Sequence, residues 1–161
     1  MTMVTLRENE NGNENESENE SGAPVIHFVR DPEHWLFRYS PKEWIRAAMK
    51  EMKLAETSYA QRNLRAGVAG CKRAAGMALN AALIAEPNSA WKRTYVEHLQ
   101  ALAKDERVPK AVSDAARAIL EAPAPSVSLV ILRGPHADDK VLEAARDVIA
   151  HAFAVVTRHE G

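Results

Sequence analysis

Residues 63–85 read NLRAGVAGCKRAAGMALNAALIA and carry the strongest structural signal in the chain. Almost half of these residues are Ala or Gly, and from Ala74 to Ala85 only Asn80 is polar. Each interior glycine costs a helix roughly 1 kcal/mol relative to alanine. That cost is tolerable where small residues let neighbouring helices approach closely. The pattern therefore predicts a helix from about Asn63 to Ala85 at the centre of a helical bundle.

A first helix is predicted just before this central one. Ser40 and Glu43 have the spacing of a capping box, and Pro41 stands at the first helical position. Apolar residues then recur at spacings of three and four, which places them on one helical face. This face consists of Ile45, Ala48, Met52, Ala55 and Tyr59, and the helix is predicted to end near Gln61.

Three more helices are predicted after the central one. The third follows the break at residues 87–89, Pro109 opens the fourth, and Asp138 or Asp139 is expected to cap the last, which ends near Arg158. The apolar faces are formed by Trp91, Tyr95, His98, Leu99 and Leu102 on the third helix, by Val112, Ala115, Ala116, Ile119 and Leu120 on the fourth, and by Val141, Leu142, Ala145, Val148, Ile149, Ala152 and Val156 on the last.

Charge and composition divide the 161 residues into three parts. Residues 1–24 have one Arg against six Glu, a net charge of −5, and the remaining 137 residues have a net charge of +4. We expect residues 1–24 to be a disordered acidic tail rich in Asn and Glu, because the tract 8–22 has no apolar side chain to bury. Residues 25–40 form an N-terminal arm, and 41–158 form the bundle. The β-branched segment 25–29 is expected to pair with 127–132 as a two-stranded ribbon.

Several classes of protein are excluded by composition. The single cysteine, Cys71, cannot form an internal disulfide or a cysteine-based zinc site, so a reducing, cytoplasmic compartment is expected. Asn80 and His151 interrupt the longest apolar runs, which are far shorter than the roughly 20 residues of a membrane span. No signal peptide pattern is present. His27 and His34 lack metal-ligand spacing, and we expect neither a metal nor a cofactor.

Residues 71–83, CKRAAGMALNAAL, follow a frame of Cys, two residues and then Ala-Ala-Glu-x-Ala-Leu-Lys-Ala-x-Leu. This frame resembles the signature helix of the HEPN superfamily of small helical bundles. Residues 98–102, HLQAL, are similar to the family's His-Leu-x-x-Leu, RGP at 133–135 lies where many members have Arg-Tyr-Pro, and 143–149 resembles the closing helix. The resemblance covers about residues 41–156. The chain differs from the family signature at Gly76 and Asn80, where the signature has Glu and Lys.

The resemblance implies an all-α, up-and-down bundle of four or five helices that forms a homodimer. Some members of the superfamily are metal-independent ribonucleases with an Arg and a His four to six residues apart. The His would move a proton at the 2′-hydroxyl, and the Arg would stabilise phosphate charge. Arg146 and His151 are therefore the predicted catalytic pair, although Arg93 and His98 have the same spacing. Five residues of ideal helix rotate by about 140°, so Arg146 and His151 would face one phosphate only across a dimer or at a frayed helix.

The basic residues Arg62, Arg65, Lys72 and Arg73 begin at the junction of the first two helices. Together with Arg93 and His98 they are the predicted ligand-binding set, although such a stretch is usually a solvated face. The leading hypothesis is a non-catalytic module that binds a nucleotide, an RNA or a protein. The alternatives are an RNA-cleaving enzyme like the toxins of toxin–antitoxin pairs, or a partner of a separately encoded nucleotidyltransferase. The absence of the signature Glu and Lys favours the binding module.

Overall fold

The computed structural model describes residues 5–6, 25–122 and 137–160, and most of them are helical. Five helices pack against one another, which confirms the predicted all-α bundle. These are α1 (Pro41–Ala60), α2 (Leu64–Ala85), α3 (Tyr95–Lys104), α4 (Lys110–Glu121) and α5 (Ala137–Arg158). A short 3₁₀ turn, Ser89–Trp91, joins α2 to α3.

Helix α2 lies at the centre of the bundle, as predicted, and contacts all four other helices. Its Leu79 and Ile84 side chains are fully buried. Its small residues allow close approach, for example at Gly70. A Cβ atom added there would lie 2.9 Å from the Cβ of Ala55 on α1, well inside ordinary van der Waals contact.

The helix starts follow local capping chemistry. The capping box of α1 is confirmed, because the Glu43 amide donates to Ser40 Oγ at 3.2 Å and the Ser40 amide donates to Glu43 Oε1 at 3.1 Å. Helix α3 has a second such box between Thr94 and Glu97, which was not predicted from the sequence.

The prediction that Asp138 or Asp139 caps the last helix is wrong, because α5 already includes Ala137. Both aspartates therefore lie in its first turn. The charge of Asp139 is still favourable there, because the amides at a helix N-terminus carry partial positive charge.

The N-terminal arm pairs with a segment of the predicted tail. Strand β1 (Thr5–Leu6) is antiparallel to strand β2 (Ile26–His27), with Thr5 opposite His27. The tail prediction had placed Thr5 and Leu6 in disorder, although they precede the acidic tract that motivated it. The predicted partner of the arm, 127–132, lies outside the described residues.

The rest of the arm is anchored to α1. The Trp44 indole N–H donates to the Leu36 carbonyl at 2.8 Å, and Leu36 is buried. Arg30 pairs with Glu43 at the helix start, and this pairing, together with the capping bonds, lowers the pKa of Glu43 to about 2. The arm is thereby fixed over the end of the bundle that holds the site described next.

Candidate ligand-binding site

A cavity of about 290 Å³ lies where the arm meets α1, α2 and the start of α3. We call it the aromatic–arginine cavity, because most of its lining consists of aromatic rings and guanidinium groups. The lining residues are Trp35, Arg38, Trp44, Asn80, Arg93, Thr94 and Tyr95.

The close approach of α2 and α3 sets the shape of this cavity. Tyr95, the first residue of α3, packs directly over Gly76 of α2, and Thr94 caps the helix beside it. Asn80 lies one turn after Gly76 and shares its face. Gly76 and Asn80, the two positions where the sequence differs from the HEPN signature, therefore lie under Tyr95 and in the cavity wall, respectively.

The two arginines of the cavity stack on its tryptophans. The Arg38 guanidinium carbon lies 5.2 Å from the Trp44 ring centroid, and that of Arg93 lies 5.8 Å from the Trp35 centroid. The lining contains no acidic residue, and neither arginine forms an ion pair within the described part of the chain. The cavity is therefore positively charged, with flat rings beside the charges.

Asn80 adds a buried amide group to the cavity wall. Its side chain is only 2 % exposed, and its Oδ1 has no hydrogen-bond partner among the described residues. Buried polar atoms almost always have a partner, and one without a partner that lines a cavity is a typical point for recognising a ligand. The cavity wall therefore contains one buried amide oxygen without a partner among the described residues.

A second depression, the His151 cleft, has a volume of about 460 Å³ and lies between the end of α2, the start of α4 and the outer part of α5. Its basic groups are already paired. Arg107 lies 3.0 Å from Asp105, and Arg158 lies 3.6 Å from Glu86. It adjoins a shallow groove of about 610 Å³ along α3 that shares Asp105 and Arg107. Both depressions are larger than the aromatic–arginine cavity but have less unbalanced positive charge.

His151 is half-buried in its cleft, and burial is the main reason that its pKa lies below the ordinary value. Nearby Arg158 lowers the pKa further, whereas Glu86 and Asp105 act in the opposite direction. His151 is therefore neutral at pH 7, the form in which a histidine accepts a proton.

The single chain does not bring the predicted catalytic pair together. Arg146 points toward α1, where it lies 2.9 Å from Glu56, and it does not line the His151 cleft. The reason is the helical rotation of about 140° between the two positions, which both lie well inside α5.

The predicted ligand-binding residues are divided among different places. Arg93 lines the aromatic–arginine cavity. His98 lies behind it and is fully buried, with Nε2 donating to the Lys92 carbonyl at 3.2 Å, and burial lowers its pKa. The predicted placement of His98 on the apolar, inward face of the third helix is confirmed.

The basic residues near the α1–α2 junction line none of the three depressions described above. Arg62 and Arg65 are exposed, and Lys72 is partly exposed. Arg73 forms an ion pair with Glu51 at 3.2 Å. Its charge still reaches the site, because it opposes the rise that burial causes in the pKa of Tyr95.

Most of the cavity could not be predicted from the sequence. Trp35, Arg38 and Trp44 were not singled out by any motif, and Tyr95 was predicted only as part of the apolar face of the third helix. The one available clue was Asn80, the single polar side chain in the apolar run of α2. A buried polar residue in such a run needs either a partner or a ligand.

Other chemistries have little support in the described residues. Cys71 is fully buried, and burial raises its pKa to about 11, so it is an inert thiol. No group of three or more His, Cys, Asp or Glu within residues 25–122 and 137–160 is arranged to hold a metal ion. None of the helices in the described ranges has the length and apolar character needed to cross a membrane.

Comparison with known proteins identifies no relative. No family model matches the chain, and neither a curated protein nor a solved structure matches it.

Proposed function

We propose that this protein is a non-catalytic module that binds a nucleotide, free or within an RNA strand, in the aromatic–arginine cavity. The observation that carries the proposal is the pair Arg38 and Arg93, stacked on tryptophans and free of carboxylate partners in the described residues, beside the unpartnered amide of Asn80. No other described site combines positive charge, aromatic rings and an unsatisfied polar atom.

Each part of the cavity matches one part of a nucleotide. Guanidinium groups bind phosphate oxygens through charge-assisted hydrogen bonds. Aromatic rings such as those of Trp35 and Tyr95 stack on bases of any sequence, and an amide such as Asn80 recognises the edge of a base. A volume of about 290 Å³ is small for a ligand pocket and suits one nucleotide unit better than two.

Calorimetric titration of the full chain with nucleoside monophosphates and a short single-stranded RNA tests this proposal. Arg38→Gln and Arg93→Gln each remove a charge-assisted hydrogen bond, so we expect each to weaken binding about tenfold or more. Arg107→Gln is the matched control, because Arg107 lies in the other cleft and is already paired with Asp105. Absence of binding by the wild type, or equal losses in all three variants, contradicts the proposal.

Asn80→Leu separates a binding role from a structural role. Leu has the same branched shape and number of side-chain heavy atoms as Asn and no polar atom to leave unsatisfied, so we expect the stability to stay the same or rise while nucleotide affinity falls. Loss of stability with unchanged affinity per folded molecule would assign Asn80 to the core.

The alternative activity is metal-independent RNA cleavage. It is favoured by one observation, the neutral, half-buried His151 beside two arginines in an open cleft. Cleavage of a mixed RNA by the wild type, lost in both His151→Ala and Arg146→Ala with the fold intact, would replace the binding proposal. Cleavage lost only in His151→Ala would require another basic residue in place of Arg146.

We also propose four properties that the HEPN resemblance implies. They are a HEPN-like bundle, a homodimer, a nucleotidyltransferase partner and a cytoplasmic location. The order of the five helices is compatible with the first. Co-purification with a nucleotidyltransferase encoded beside this chain would support the third.

A further inference from the structure

Lys92 has a backbone conformation that residues with a side chain seldom adopt. Its φ is 56° and its ψ is −141°, a combination found mainly in glycine. Arg62 is the other non-glycine residue with positive φ in the described ranges, and it follows the C-cap of α1, where such values commonly end a helix. Lys92 lies instead in the short turn between Trp91 and the start of α3. Such a conformation persists only where the surrounding structure imposes it.

Contacts on both sides of Lys92 hold this turn. Trp91, immediately before it, is buried, and Thr94, two residues after it, caps α3 in the box with Glu97. Lys92 Nζ lies 3.8 Å from Glu97 Oε2. The Lys92 carbonyl accepts a hydrogen bond from His98 Nε2 at 3.2 Å, and this nitrogen carries the proton because a carbonyl oxygen cannot donate. The turn is therefore fixed at its backbone as well as by its side chains.

The hydrogen bond from His98 acts on the peptide group that leads into Arg93. The Lys92 carbonyl and the Arg93 amide belong to one planar unit, so fixing the carbonyl oxygen also fixes the start of the Arg93 backbone. His98 is fully buried, and its ring centroid lies 6.2 Å from that of Trp35, the ring on which the Arg93 guanidinium stacks. One buried side chain therefore adjoins both the backbone of Arg93 and the ring beneath its charge.

We infer that Lys92 and His98 are positioning residues, which hold Arg93 over Trp35 in the orientation that binds the phosphate of a nucleotide. This inference rests on the proposed function of the aromatic–arginine cavity. An arginine side chain loses conformational freedom when it binds a ligand, and a backbone that is already held in place reduces the freedom lost on binding. The strained turn therefore lowers the stability of the chain and raises the affinity of the site.

Comparison of Lys92→Gly with Lys92→Ala tests this inference by calorimetric titration of the full chain with adenosine monophosphate. Both variants lack the ammonium group, and only glycine adopts the observed φ and ψ without strain. We expect Lys92→Gly to have the higher urea midpoint and yet to bind adenosine monophosphate about threefold to tenfold more weakly than Lys92→Ala, because its turn is free to move. A merely structural role would change stability and affinity in the same direction, and that result would contradict the inference.

Arg62 provides the matched control, because its φ is 59° and it lines none of the three depressions described above. Arg62→Gly is expected to be more stable than Arg62→Ala, with the same affinity for adenosine monophosphate. A difference in affinity between these two variants would show that relief of strain anywhere in the chain weakens binding, and the inference would be wrong. Equal affinities of the two Lys92 variants, when the wild type binds, overturn the inference alone. A wild type that does not bind overturns the proposed function and this inference together.

A double-mutant cycle tests the role of His98 separately. His98→Phe keeps a planar ring beside Trp35 and removes the donor to the Lys92 carbonyl, whereas His98→Gln keeps an N–H group for that bond. We expect His98→Phe to weaken binding about threefold to tenfold in the wild-type chain and to have no further effect in Arg93→Gln, because His98 acts through Arg93. His98→Gln is expected to keep most of the affinity. Equal losses from His98→Phe in both backgrounds would overturn the inference, and circular dichroism of each variant verifies the fold.

Discussion

Gly76→Ala changes the position on which the wall of the aromatic–arginine cavity depends. A Cβ atom at residue 76 would lie 2.3 Å from both Cβ and Cγ of Tyr95 and 2.4 Å from Cδ1. Carbon atoms in contact lie about 3.5–4.0 Å apart, so α3 would have to move by about an ångström. The Tyr95 Cβ is fixed to the backbone and cannot rotate away. The substitution therefore forces the two helices apart.

The expected loss of stability follows from two opposing effects. Overpacking a well-filled contact costs typically about 1–3 kcal/mol, and distances this short place Gly76→Ala at the upper end. Replacing an interior glycine by alanine stabilises a helix by about 1 kcal/mol. We therefore expect a net loss of about 2 kcal/mol in the free energy of unfolding, together with weaker nucleotide binding because Tyr95 lines the cavity.

Urea unfolding followed by circular dichroism measures this loss, and a double-mutant cycle identifies its cause. Tyr95→Gly removes both the ring and the Cβ that would clash. In that background Gly76→Ala is expected to stabilise the protein by about 1 kcal/mol, because only the helix propensity remains. If Gly76→Ala stabilises the otherwise unchanged chain, α2 and α3 are not in the close contact described here.

Two further predictions concern titrating groups. With a pKa of about 11, Cys71 has about a hundredfold less thiolate at neutral pH than a thiol with a pKa of 9.0. Its labelling by a disulfide reagent should therefore be at least a hundredfold slower in the folded protein than in the urea-unfolded protein. Equal labelling rates would show that the thiol is accessible. In the folded protein the pKa values of His98 and His151 lie below the unfolded value of about 6.5, so the free energy of unfolding is highest above that pH and decreases as the pH falls below it. Urea unfolding between about pH 7.5 and about pH 5 should show this decrease, and the decrease should be smaller in His151→Gln. A stability that does not change with pH would contradict the burial of the two histidines.

The helices could be predicted from the sequence because their signals are local. The spacing of Ser40 and Glu43 specifies the start of α1, and the run of small residues specifies a buried α2. The start of α5 was placed too late, because an aspartate is favourable both as a cap and within the first turn. The first residue of such a helix therefore depends on contacts with the rest of the protein and not on the local sequence pattern alone.

The candidate site could not be predicted in the same way because it is assembled from distant segments. Trp35 and Arg38 come from the arm, Asn80 from the centre of α2 and Arg93 from the turn before α3. No spacing in the sequence links them, and only the packing of the arm over α2 brings them together. The Arg146 and His151 spacing, in contrast, was visible in the sequence, but the two side chains face different neighbours.

Tryptophan fluorescence during a titration with adenosine monophosphate tests the central claim most directly. Trp35 and Trp44 line the aromatic–arginine cavity, whereas Trp91 lines the His151 cleft. We expect saturable quenching that persists with unchanged affinity in Trp91→Phe and is reduced in Trp35→Phe. Quenching that disappears in Trp91→Phe would place the ligand in the His151 cleft, and no quenching in any variant would show that the aromatic–arginine cavity does not bind this nucleotide.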